Sequence, residues 1–326
     1  MNTRRAYPAI FYNGKNISTT VDMFLESFQY TDPASGEGDS ISLTLGNWTG
    51  NWLAGWFPDK GATLAARILT YNWWRQGEML QLVCGTFSLD DISFSGTPDV
   101  MTVGAVSTPA ADAFKTTERT KTWENITVQQ IASDIAKRYE LALLYDAPTI
   151  KIAVLEQSGA TDSAFLANIC KDYGLSLKVY SSKLVIFDRE KYKKKPAVKM
   201  IDKGDMLSYT FNTTLIGTYT GGELVYTNAA GKEITYKTGK GPRILKSNAS
   251  ANNAAEAKLK LDAAIAEANH SETTLSFSTM GQPTLAAGQT INITGLGRAS
   301  GKYYIDKATH SVGDSYTTAF ECSKVQ

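Results

Sequence analysis

Gly85-Thr-Phe87-Ser-Leu89-Asp90-Asp-Ile92-Ser-Phe94-Ser95 decides how this chain is read, because it returns far downstream as Gly301-Lys-Tyr303-Tyr-Ile305-Asp306-Lys-Ala308-Thr-His310-Ser311. Glycine, aromatic, aliphatic, aspartate, hydroxyl and serine keep one register, with the alternation of a half-buried strand. A proline-glycine turn and a second strand pattern precede each copy. Pro58-Asp-Lys-Gly61 leads into a run from Leu64, and Pro283-Thr-Leu-Ala-Ala-Gly288 into one at Ile291. Two readings follow: one β module used twice, or chance recurrence of glycine and alternation in an all-β chain. Duplication is the reading that fixes the fold.

With 326 residues the chain predicts roughly two to three domains. Its 33 basic and 32 acidic side chains give no standing basic surface, which argues against stable nucleic-acid or membrane binding. Met1-Asn-Thr-Arg-Arg5 runs into a short β-like segment without an apolar core, so no signal peptide is expected. Cys84, Cys170 and Cys322 are odd in number and widely spaced, as in a protein folded with reduced thiols in a cytosol.

Residues 1–108 read as β. Pro8-Ala-Ile-Phe-Tyr12 is a strand, Asn13-Gly14 a hairpin turn, and Ile41-Ser-Leu-Thr-Leu45 alternates strictly. Residues 109–195 change character to a small α+β unit. A helix from Ile126 to Tyr139 starts at a capping box of Thr127 and Gln130; a second runs from Asp162 or Ser163 to Tyr173 and stops at Gly174. Strands follow at Leu175–Val179 and Lys183–Phe187, and Lys191-Tyr-Lys-Lys-Lys-Pro196 closes the unit as a solvated linker. Residues 196–326 return to β, including Glu223–Tyr226 and Glu233–Tyr236, interrupted by a helix from Asn252 or Asn253 to Asn269.

The sequence carries no chemistry-bearing constellation. His310 sits in the repeated strand where its counterpart is Phe94, the place of a half-buried or surface histidine; His270 follows a helix. No cysteine or histidine spacing fits a metal, and the Gly295–Gly301 run leads into a strand instead of a helix, so no dinucleotide site is expected. Asp90 and Asp91 are adjacent on a strand and point to opposite faces, which prevents acid/base pairing. No catalytic, cofactor or metal residue is assigned. Trp48, Trp52, Trp56, Trp73 and Trp74 are candidate interface anchors or core residues of their own module.

Three segments, in order, resemble the phage late control protein D family, the baseplate hub proteins of contractile tails. They are Trp56–Gly61 with Gly85–Pro98, Trp123–Ala132 with Ser163–Leu175, and Gly281–Gly288 with Gly301–His310. The resemblance implies two tail-tube-like β-barrel domains flanking the α+β domain, no enzymatic activity, and a homotrimer whose six modules form a pseudo-six-fold ring. It also implies the partners: the tail tube protein, a trimeric spike, a baseplate wedge or LysM-type hub-associated protein, and the tape-measure protein. The residues carry no needle-like repeats after this unit, which favours a separate spike. The implied location is the tail baseplate of a virion or bacteriocin particle assembled in the host cytoplasm. A tail-associated cell-wall hydrolase or glycan-binding component is the alternative, and it requires paired carboxylates in a cleft of the middle unit. A tube subunit proper would need one module only.

Overall fold

The structure, a computed structural model, describes residues 3–107, 113–228 and 231–325. The boundary expected at 108/109 lies outside the described residues.

Most of the chain is strand. The first β module opens with β1 (Arg5–Tyr12), which turns at Asn13 and Gly14, both at positive φ, into β2 (Lys15–Asn16). Helix α1 (Ser18–Phe24), β3 (Leu25–Pro33), β4 (Ser40–Gly46), β5 (Thr63–Tyr71), the long β6 (Met79–Ser95) and β7 (Val100–Val106) complete it. Burial alternates along β4, β5 and β7, so every second side chain enters one core containing Phe28, Leu43, Ile68, Phe87, Leu89 and Met101. Each such side chain stabilises the fold by about 1.5–3 kcal/mol. The strand order is β3-β4-β7-β6-β5-β1-β2, antiparallel throughout.

The middle unit has its own core around Trp123, Ile131, Ile135, Phe165 and Leu166. Its elements are α2 (Ala113–Thr116), β8 (Glu118–Thr127), α3 (Val128–Arg138), β9 (Ala142–Asp146), β10 (Lys151–Thr161), α4 (Asp162–Asp172), β11 (Leu175–Tyr180), β12 (Lys183–Asp188) and α5 (Arg189–Lys194). The capping box forms as read: Gln130 N donates to Thr127 Oγ1 at 3.2 Å, and Thr127 N to Gln130 Oε1 at 2.9 Å. The lysine run differs from expectation. It is the short helix α5, in which Lys193 is buried and paired with Glu190 at 2.8 Å, and Lys191 pairs with Asp146. Asp188 caps its start, so the run is structure as well as charge.

The second β module comprises β13 (Lys199–Asp202), β14 (Met206–Thr213), then an excursion, then β18 (Thr273–Met280), β19 (Thr290–Thr294), β20 (Gly301–Val312) and β21 (Tyr316–Lys324). The excursion holds β15 (Gly221–Thr227), β16 (Glu233–Gly239), β17 (Ile244–Ser247) and α6 (Ala254–Asn269). The strands read at Glu223–Tyr226 and Glu233–Tyr236 therefore pair in a separate three-stranded sheet. Leu224 and Tyr226 share a core with Ala257 and Leu261 of α6. This small unit leans on the middle one, through Tyr173 Oη donating to Glu256 at 2.8 Å and the Arg189–Glu267 pair. The module itself has the order β14-β18-β21-β20-β19-β13, and β20 also pairs with β3, so both modules share one 13-stranded sheet.

Candidate functional site

The two modules match at the level of single hydrogen bonds. Gly61 and Gly288 both adopt positive φ, 82° and 84°. Gly61 N donates to Leu89 O at 2.8 Å, and Leu89 N returns to Ala62 O at 2.9 Å. Gly288 N donates to Ile305 O at 2.9 Å, and Ile305 N returns to Gln289 O at 2.9 Å. One residue later each long strand bulges: β6 loses register against β7 between Leu89 and Asp91, and β20 against β21 between Ile305 and Lys307. Asp90 and Asp306 are the extra residues. Upstream, Gly85 and Gly301 take φ of 113° and 140°, and Phe87 and Tyr303 fill their respective cores. Bulges re-aim a strand and strengthen its twist. Both modules thus bend their longest strand at one corner held by one pair of bonds. The prolines are not part of the match: Pro58 lies three residues before its glycine and is half-buried, whereas Pro283 lies five before and is buried.

Past the bulge β20 crosses to the first module and pairs with β3, from Lys307↔Pro33 to Val312↔Phe28. Ala34 N donates to Asp306 O at 2.8 Å at the entrance to this seam. Trp73 Nε1 reaches across to Gly281 O at 2.7 Å, and its ring meets Tyr316 at 5.2 Å. A buried polar cluster joins the seam to the middle unit. Lys178 of β11 pairs with Asp32 and with Asp39, the latter at 2.7 Å; Tyr30 Oη donates to Asp39 at 2.6 Å. The second Asp32 oxygen accepts from Ala287 N at 2.8 Å, so one carboxylate holds all three units. Burial raises Asp39 to about 6 against the pull of Lys178. Burial also works against the Lys178 ammonium, but the two aspartates outweigh it and keep its pKa raised. Burial, then Asp32 and Asp39, push the Tyr30 hydroxyl upward, so it remains a donor.

His310 is fully buried in this seam, not half-buried as its strand position suggests. Its ring stacks on Tyr30 at 5.9 Å, and Nδ1 lies 2.9 Å from Tyr316 Oη and 3.2 Å from Thr318 Oγ1. Burial lowers it to about 4, so it is a neutral structural group at neutral pH. Its counterpart Phe94 stays half-exposed, stacked on Phe57 at 5.8 Å, because β3 pairs along β20 there and, among the described residues, no such strand lies beside β6. His270 caps the end of α6, with Nε2 2.8 Å from Asp306.

The tryptophans divide. Trp52 and Trp73 are 7% and 5% exposed, Trp52 within the first core and Trp73 anchoring the contact between modules inside the chain. Trp48, Trp56 and Trp74 are 66%, 42% and 37% exposed. Among the described residues of the middle unit the buried carboxylate is Asp162, tied to Arg138, Arg119, Gln157 and Tyr139. Burial opposes its charge, but these donors outweigh it and hold its pKa below the usual range, which suits a structural anion and not a proton donor.

Comparisons with known proteins agree with the resemblance carried by the sequence. The chain is 29% identical over 175 residues to the probable baseplate hub protein of Escherichia phage 186, and 27% over 179 residues to that of Escherichia phage P2. These matches cover 53% and 54% of the chain but only 42% and 43% of the relatives, so it spans less than half of their length. No protein-family model matches the chain. Its fold is that of a tail protein from Neisseria meningitidis MC58, with TM-score 0.73, 12% identity and coverage of 98% and 96%. The 43 kDa tail protein of prophage MuSo2 from Shewanella oneidensis gives TM-score 0.73, 13% identity and 98% coverage of each chain. A type VI secretion component of E. coli, described as similar to phage T4 tail proteins, gives TM-score 0.54 at 11% identity over 93% of this chain and 74% of that one.

Proposed function

We propose that this chain is a structural, non-enzymatic subunit of the baseplate hub of a contractile phage tail or phage-derived particle. Three copies would form a ring of six similar modules, each a tail-tube-like barrel, with residues 1–108 and 196–326 as the two modules and 109–195 between them. Such a ring is six-fold in shape toward a hexameric tail tube and three-fold in fact toward a trimeric spike. Its inner face would line the channel taken by the tape-measure protein, and wedge or LysM-type proteins would join from outside. The particle would assemble in the host cytoplasm and carry the hub in its tail baseplate.

The observation that carries this reading is the matched glycine–bulge corner in both modules. A subunit that presents one geometry twice halves the symmetry of any ring built from it. The named relatives support the location, and the neutral balance of charge suits a passage that does not hold phosphate. The hydrolase alternative is disfavoured by Asp162, whose charge is spent on two arginines.

Mass measurement and negative-stain imaging of the purified chain test the proposal. Particles of three 35.5 kDa copies with six evenly spaced lobes are expected. Rings of six copies would indicate a tube subunit, and a monomer at every concentration would remove the hub reading.

A further inference from the structure

This inference rests on the ring reading and identifies the surface that would close it. β20 has two neighbours along one edge: β19 pairs up to Tyr304, and β3 takes over from Lys307 to Val312. β6 is divided at the same point. β5 pairs with Met79–Ser88, the Gly61–Ala62 turn reaches Leu89, and beyond that, among the described residues, β6 pairs only with β7. The place that β3 fills beside β20 is open beside β6.

The counterpart of β3 is also free. β14 stands in the second module where β3 stands in the first, one strand beyond the neighbour of the strand that pairs the bulged one. Both begin with a register irregularity, between Leu25 and Ser27 against β4 and between Met206 and Ser208 against β18, which aligns Glu26 with Leu207. Among the described residues β14 pairs only with β18. We propose that β14 of a second copy of this chain fills the open edge of β6, in the register that β3 and β20 use within one chain.

The register follows residue by residue. Thr309↔Thr31 and His310↔Tyr30 become Ser93↔Asn212 and Phe94↔Phe211 between copies. The Ala34 N to Asp306 O bond sets the parity: alternate residues from Asp306 direct their backbone groups at β3. Ile92 and Phe94 then present theirs to the opening, and Phe211 and Thr213 answer them. The flanks are apolar on both sides. Phe57, 53% exposed, lies against Phe94 at the β6 edge; Leu207, Tyr209, Leu215 and Ile216 at the β14 edge are 66%, 46%, 65% and 91% exposed. A long apolar strand edge left open invites edge-to-edge association. Here two such edges lie on different modules, so each copy offers one to the next in a head-to-tail contact.

Paired cysteines test this. Ser93→Cys with Asn212→Cys places thiols at partnered, exposed positions, while Cys84, Cys170 and Cys322 are buried. Mild oxidation of the full chain should give reducible two- and three-chain species with the pair and none with either single variant. Ser93→Cys with Ser208→Cys is the off-register control, about 13 Å apart by strand rise. A control that cross-links as well as the pair overturns the register. A trimer by mass in which the pair does not cross-link overturns the edge contact and leaves the hub reading standing. A chain that stays monomeric overturns both.

Discussion

Gly85 and Gly301 meet one steric demand at one point of their strands, a φ of 113° and 140° that a β-branched residue does not tolerate. Gly85→Val or Gly301→Val should each destabilise its own module by about 1–3 kcal/mol from the backbone alone. The surroundings rank them. A Cβ at Gly85 would lie 3.1 Å from the Tyr180 ring, whereas at Gly301 it meets the flexible Lys324 chain at 3.3 Å. Gly85→Val should therefore have the lower melting temperature of the two; equal, parent-like melting would remove the structural meaning of the match. Asp39 and His310 titrate in opposing senses. Asp39 at about 6 holds a proton that the unfolded chain releases near its ordinary 3.8, so its contribution to stability falls as pH rises through that window. His310 at about 4 refuses a proton that the unfolded chain accepts near 6.5, so its contribution rises with pH. The two act in opposite directions in the parent. Asp39→Asn leaves only the second, so its melting temperature should fall relative to the parent as pH drops from about 7 to about 4.5. Parallel curves would mean that Asp39 is not held up by burial.

At the scale of elements, the legible parts were those with local signals. The start of α3 was readable because Thr127 and Gln130 satisfy each other's backbone within one turn, the end of α4 because Gly174 takes a φ of 68°, and the start of α6 because Asn253 accepts from Glu256 N at 2.9 Å. Thr127→Ala should cost about 1 kcal/mol and speed hydrogen exchange in the first turn of α3 without disturbing the β modules. The repeat was readable because glycine, aspartate and alternation are themselves the geometry of the corner. What stayed hidden was partnership. Alternation at Glu223–Tyr226 announces a strand but not its sheet, and the partner that decides this, α6, comes later in the chain. Lys178 on β11 and Asp32 on β3, 146 positions apart, meet across two different units, and neither carries a mark of it. The burial of His310 is not legible in the sequence for the same reason. Its own strand is like that of Phe94, and the difference is a third strand, β3, laid over one and not the other.

For the molecule as a whole, the Lys178 cluster determines whether the parts move together. One ammonium serves two carboxylates, Asp32 is only 5% exposed and Asp39 wholly buried, and Asp32 also holds the backbone of the second module at Ala287. Lys178→Met keeps the length and apolar body of the side chain and removes the charge. The two aspartates are then left facing each other without a counter-ion, a loss of about 3–5 kcal/mol for breaking a buried pair from one side. Protonation offers a partial escape below the pKa of Asp39, so the loss should be greater at about pH 8 than at about pH 5. Adding Asp39→Asn should restore part of the stability at the higher pH by removing one of the stranded charges. Hydrogen exchange locates the damage: faster exchange in β3, β20 and the 286–290 segment, with the α3 core unaffected, is the expected pattern. A Lys178→Met chain as stable as the parent at about pH 8 would mean that the β3–β20 ladder alone holds the two modules, and that the cluster is incidental to the joint.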